Sequence, residues 1–98
     1  MKYKTGEFFT LLKSYRGLIG NMQIGDMWIT FDCAYYNYFS DEDEIQFLLA
    51  GQQGVVSIHH ILGYEKLPED DLYDDTVAGY AIHMENGHQL DVFMFPRP

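Results

Sequence analysis

The stretch GYAIHMENGHQLDVFMF, residues 79–95, decides the fold class because it has the pattern of two strands joined by a tight turn. Apolar and polar side chains alternate on both sides of the turn, as they do in an antiparallel hairpin with one buried face. A two-residue loop would place Ile82 and Leu90 on opposite faces. A three-residue loop, Glu85-Asn86-Gly87 with Gly87 left-handed, instead gathers the apolar residues on one face. These residues are Tyr80, Ile82, Met84, Leu90, Val92 and Met94. We therefore predict the three-residue loop.

The chain before this hairpin contains further strand patterns. GVVSIHHIL, residues 54–62, predicts a third strand, and the acidic segment 65–75 after it predicts a loop held by Pro68. The turn signal at residues 25–26 is followed by aromatic and β-branched residues from Met27, which predict a strand running as far as Tyr38. The segment 18–24 predicts a weaker strand, because glycine and turn-forming residues interrupt it.

Two segments have the spacing of amphipathic helices. After Thr5, a candidate cap, one apolar stripe comprises Phe8, Leu11, Leu12 and Tyr15, and Gly17 is a plausible stop. A second helix is predicted from Ser40 to Gly51, because acids follow Ser40 as in a capping box and Ile45, Leu48 and Leu49 form a stripe. The predicted fold is α+β: an antiparallel sheet of about four to five strands, including the C-terminal β-hairpin, with two helices on one face.

Length and charge limit the functional classes. The 98 residues predict a single compact acidic domain, 1–98, and the 47% of hydrophobic residues predict a globular chain. Fifteen acids against six Lys and Arg give a formal charge of −9. Direct binding to nucleic acid or to an anionic membrane is disfavoured, because phosphate contacts require positive surface. The same charge favours a basic protein as partner.

The cysteine content and the N-terminal segment indicate the compartment. Cys33 is the only cysteine, so no intramolecular disulfide can form, which fits a reducing compartment. Its apolar neighbours favour a small core residue over a nucleophile. MKYKTGEFF lacks an apolar run of signal-peptide length, and no segment approaches the roughly 20 residues of a membrane span. A cytoplasmic protein is expected.

The residues that could carry catalysis form no recognisable motif. His59 and His60 are adjacent, so on one strand they would point to opposite faces, and at most one could join His83, Glu85 or Asp91. No metalloprotease helix, paired cysteines, nucleophile elbow, phosphate-binding loop or calcium loop occurs. We therefore expect no metal, no cofactor and no enzymatic activity.

Two runs combine aromatic side chains with carboxylates, as a protein-binding surface would. Tyrosine buries a large area at low entropy cost, and dense carboxylates accelerate encounter with a basic surface. The alternative interpretations are a helix cap for the first run and a solvated surface for either. The predicted partner-binding residues are Tyr35, Tyr36, Tyr38, Phe39, Asp41, Glu42 and Asp43 in the first run, and Glu69, Asp70, Asp71, Tyr73, Asp74 and Asp75 in the second.

The overall character of the chain is similar to that of small protein inhibitors of nucleic-acid enzymes. Phage anti-CRISPR proteins, other DNA mimics and nuclease immunity proteins are likewise short, acidic and without catalytic motifs. This resemblance of composition implies a non-catalytic inhibitor of a basic nuclease or nucleic-acid-binding complex. The alternatives are an acidic interaction or assembly module without inhibitory role and, third, a small metal-dependent enzyme. Self-pairing of the first run would make the chain a homodimer, which the sequence leaves open.

Overall fold

The computed structural model describes residues 3–49 and 54–96, and for residues 32–35 and 49 it describes the backbone alone. One α-helix precedes seven strands in this part of the chain. Short 3-10 turns occur at Lys13–Tyr15 and Glu69–Asp71. The elements are α1 Thr5–Leu12, β1 Ile19–Ile24, β2 Met27–Phe39, β3 Glu44–Leu49, β4 Val55–His59, β5 Ile61–Lys66, β6 Ala78–Met84 and β7 Gln89–Phe95.

All seven strands form one antiparallel sheet in the order β4-β3-β2-β1-β7-β6-β5. The two edge strands, β4 and β5, are nevertheless consecutive in the chain and separated only by His60. In a flat sheet they would lie roughly 29 Å apart at about 4.8 Å per strand, a distance that one residue cannot span. The sheet must therefore curl until its edges meet at His60.

The inner face of this curled sheet holds the core, together with α1. Phe8 and Leu12 of α1 are completely buried there, as the predicted stripe requires, whereas Leu11 and Tyr15 are partly buried. The residue ahead of the helix is Lys4, whose side chain makes no cap bond. The predicted cap, Thr5, is instead the first helical residue. Its hydroxyl accepts from the Ile61 backbone N–H at 2.9 Å.

The C-terminal hairpin has the predicted register. Ile82 pairs with Leu90, and the Met84 N–H donates to the His88 carbonyl at 2.9 Å, which closes the three-residue loop. Gly87 has φ +85°. The apolar face predicted for the hairpin lies in the core, with Met84 partly buried at its end.

The predicted second helix is wrong, because residues 44–49 form β3 between β2 and β4. Ile45 and Phe47 are fully buried and alternate with more exposed neighbours, so the segment follows a period of two. Asp41, Glu42 and Asp43 occupy the turn between β2 and β3, and Glu44 is the first residue of β3.

The strand count also exceeds the prediction of four to five. The segment predicted as one strand is divided at His60 into β4 and β5, because His60 adopts φ +52°.

No helix in the described part of the chain has the length and apolar character that crossing a bilayer requires.

Candidate functional site: an acidic aromatic surface and a histidine pocket

Strand alternation divides the aromatic residues of the first predicted run. Tyr36 and Tyr38 lie opposite the buried Phe47 and Ile45, on the inner face. Their rings contact the Phe9 ring of α1, with centroids at 5.3 and 5.4 Å. Two of the predicted contact residues are therefore partly buried beneath the helix. Phe39 is exposed on the outer face, and the side chain of Tyr35 lies outside the described part of the structure.

Asp43 is engaged within the fold. One carboxylate oxygen accepts from the Thr5 hydroxyl at 2.7 Å, and the other accepts from the Tyr38 hydroxyl at 3.2 Å. Burial, and then the Asp43 carboxylate, raise the pKa of Tyr38. Among the acids that the first run places in this turn, Asp41 and Glu42 are exposed and Asp43 is partly buried.

The second predicted run forms a loop over the outer face of the sheet. Leu72 anchors it, because the Leu72 side chain fills the space above Gly79: a Cβ on Gly79 would lie 2.7 Å from Leu72 Cδ2. The five acids of the loop remain exposed, and no lysine, arginine or histidine of the described residues forms an ion pair with any of them. They are Glu69, Asp70, Asp71, Asp74 and Asp75.

An aromatic pair borders these acids. Tyr73 is 47% exposed and Trp28 is 51% exposed, with ring centroids 5.5 Å apart. The other contacts of Tyr73 hold it in place: its ring packs on Phe93 at 5.0 Å, and its hydroxyl accepts from Gln23 Nε2 at 3.0 Å. We call Trp28, Tyr73 and the five loop acids the acidic aromatic surface.

Trp28 is a residue that the sequence prediction missed. The signal was available, because Trp28 precedes Ile29 and Phe31 on the same strand, and inward positions at 29 and 31 leave 28 facing outward. An outward tryptophan on a strand is a large exposed apolar group, which is typical of binding surfaces.

The structure does not bring the two predicted runs together. Trp28 and Phe39 lie near opposite ends of β2. They are eleven positions apart, which corresponds to at most about 36 Å at 3.3 Å per residue of extended strand.

A histidine pocket of about 400 Å³ lies where the edges of the sheet meet. Because His60 stands between β4 and β5, both adjacent histidines line this pocket, contrary to the prediction that they diverge. Its lining residues, which define it here, are Ser57, His59, His60, Met84, Glu85 and Asn86.

Each of these two imidazoles has a carboxylate partner. His59 Nε2 lies 2.6 Å from Glu44 Oε1, and His60 Nδ1 lies 2.9 Å from Glu85 Oε2. Tyr3 stacks on His60 with ring centroids 4.5 Å apart. The carboxylates orient the rings, which leaves the second nitrogen of each imidazole to bind a ligand.

The other histidines and the remaining ligand types do not extend this pocket. His83 pairs with Glu65 at 3.3 Å on β5, and neither residue lines the pocket. Within residues 3–49 and 54–96, no three His, Cys, Asp or Glu side chains converge as a metal site would require.

Comparison with known proteins gives no match among protein-family models, curated proteins or solved structures.

Proposed function

We propose that this chain is a non-catalytic acidic protein that inhibits a basic nucleic-acid-handling protein in the cytoplasm. One observation carries the proposal: five exposed loop acids without a described cationic partner border two half-exposed aromatic rings. The formal charge of −9 adds long-range attraction for a basic surface.

The chemistry of this surface is the complement of a nucleic-acid groove. Such grooves bind the backbone with Lys and Arg and stack bases on aromatic side chains. The loop carboxylates supply the negative charge of phosphates, and Trp28 with Tyr73 supplies flat rings. The partner is therefore a nuclease or a nucleic-acid-binding complex, and the acidic aromatic surface occupies its groove.

The acidic aromatic surface is the binding site, and the first run is not part of it. Tyr36, Tyr38 and Asp43 are already engaged with α1 and its N-terminal residue, so they support the fold. Asp41 and Glu42 lie at the other end of β2 and serve as a matched control.

Affinity capture from a lysate of the source organism tests the proposal. The wild-type chain is compared with Asp70→Lys/Asp71→Lys and with Asp41→Lys/Glu42→Lys, which change the net charge equally. We expect the wild type and the second variant to retain a basic nucleic-acid-binding protein, identified by mass spectrometry and released by competing DNA or RNA. The first variant should lose it. Equal loss from both variants would mean that net charge alone carries the binding, and capture of an acidic partner would reject the proposal.

A metal-dependent activity in the histidine pocket is the second candidate. The carboxylate on one nitrogen of each imidazole favours it, because metal-binding histidines usually have such a partner. Against it, no three His, Cys, Asp or Glu side chains of the described residues converge on one point. Elemental analysis of protein purified without a histidine tag separates the two: we expect no stoichiometric transition metal, and one zinc per chain would favour this second function.

A further inference from the structure

The two edges of the sheet differ in how they are protected. On β5, the Ile61 carbonyl accepts from the Lys4 N–H at 2.7 Å, and the Ile61 N–H donates to the Thr5 hydroxyl. Glu65 and Lys66 follow on the same strand, and charged side chains discourage pairing with another chain. The β5 edge is thus covered at one end and charged at the other.

The β4 edge carries neither protection, although Ser57 and His59 border the histidine pocket, with Glu85 and Asn86 on its other side. Its sequence, VVSIH at residues 55–59, contains no acid, lysine or proline in a chain with fifteen acids. Within residues 3–49 and 54–96, no group hydrogen bonds to the outward backbone edge of β4. Val55 is 50% exposed, and its cross-strand neighbour Leu48 on β3 is 41% exposed. Such an edge is a template for strand addition.

The side chains of β4 are compatible with antiparallel pairing to β4 of a second copy. A two-fold axis at Ser57 would place Val56 opposite Ile58 of the second copy on the inner face. On the outer face it would place Val55 opposite His59, and Ser57 opposite its own copy. No like charges meet in this register, and the nearby carboxylate of Glu44 is already paired with His59.

We infer that the chain forms a homodimer by antiparallel pairing of β4 with β4 of a second copy, with the two-fold axis at Ser57. This interface is distinct from self-pairing of the aromatic run and from the acidic aromatic surface. A basic partner is not the occupant of this edge, because the strand offers no carboxylate to meet it.

This dimer and the proposed inhibitory complex should respond in opposite directions to the salt concentration. Each copy carries a formal charge of −9, so the copies repel one another, and screening strengthens the dimer. Binding of a basic partner weakens under the same change. Sedimentation of the wild-type chain at low and high salt should therefore show dimer increasing with salt, and Ser57→Lys, which sets two cations opposite each other, should abolish it.

Register-specific crosslinking tests the axis itself. In Ser57→Cys the two new thiols face each other with Cα atoms roughly 5 Å apart, within disulfide range. In the control Val55→Cys they lie roughly 13 Å apart along the strands, because residue 55 pairs with residue 59 of the other copy. Both variants retain Cys33, so the native thiol contributes equally.

We expect Ser57→Cys to form a covalent dimer much faster than Val55→Cys under mild oxidation. A wild-type chain that sediments as a monomer at every salt concentration would overturn the inference. So would a dimer in which the two cysteine variants crosslink at the same rate, because the axis would then lie elsewhere. Neither outcome bears on capture of a basic partner by the acidic aromatic surface.

Discussion

Asp43 links three parts of the fold through its side chain and its backbone. Its carboxylate accepts from Thr5 of α1 and Tyr38 of β2, and its carbonyl accepts from the N–H of His60. We expect Asp43→Ala to lower the free energy of unfolding by about 2–3 kcal/mol, because both hydroxyls lose a charged acceptor. Asp41→Ala, an exposed change in the same turn, should stay within about 0.5 kcal/mol. Urea unfolding measures both, and equal effects would deny Asp43 this role.

Tyr64 gives the fold a defined sensitivity to alkali. Burial, and then its hydrogen bond to Glu7, raise the pKa of Tyr64 to about 12. The unfolded pKa is about 10, so the neutral phenol contributes stability that is fully present below pH 10. That contribution is lost as the pH rises from about 10 to about 12.

Tyr64→Phe isolates this contribution. Its stability should fall less steeply than that of the wild type between pH 10 and 12, although Tyr3, Tyr38 and Tyr80 also have a raised pKa and titrate in both proteins. Urea unfolding at neutral and alkaline pH measures the difference. Parallel pH profiles would show that the Tyr64 hydroxyl contributes nothing to it.

At the scale of the element, the hairpin turn depends on Gly87. Nothing lies within 4 Å of a Cβ built there, so a substitution meets only the backbone penalty of φ +85°. Gly87→Ala should therefore cost about 1 kcal/mol or somewhat more. Gly63→Ala is the control, because its Cβ also meets open space but its φ is not left-handed. Calorimetry of both compares them, and equal melting temperatures would mean that the left-handed turn is not required.

Local patterns account for the hairpin and for α1, whereas β3 depends on distant neighbours. Alternation and a glycine turn lie within residues 79–95, and the α1 stripe lies within a few turns of chain. From the sequence alone, the spacing of Ile45, Leu48 and Leu49 also fits the apolar stripe of a helix. This segment is a strand because it pairs with both β2 and β4, and the spacing of residues within the segment cannot predict that pairing.

The same distinction applies to the candidate site. The loop acids were predictable as a charged run, and their exposure follows from that composition. The burial of Tyr36 and Tyr38 follows from the docking of α1, and the histidine pocket follows from a left-handed His60. Left-handed residues other than glycine are uncommon, so no sequence rule would have placed His59 and His60 beside one pocket.

At the scale of the whole molecule, the charge is unevenly distributed along the chain. Residues 1–16 contain four of the six basic side chains, and residues 40–75 contain ten acids.

With a captured partner, Asp70→Lys/Asp71→Lys should slow association and flatten its salt dependence, because the loop acids steer the encounter. Trp28→Ala should mainly speed dissociation, because a half-exposed ring acts as an anchor. Surface plasmon resonance separates the two rates, and identical kinetics for both variants would contradict this division.

Displacement of nucleic acid from the captured partner tests inhibition most directly. A fluorescent oligonucleotide is bound to the partner, and its anisotropy is followed as this protein is added. Occupation of the groove by the acidic aromatic surface predicts stoichiometric release by the wild-type chain and by Asp41→Lys/Glu42→Lys, with little release by Asp70→Lys/Asp71→Lys. A ternary complex that keeps the oligonucleotide bound would contradict inhibition and leave an acidic assembly module in its place.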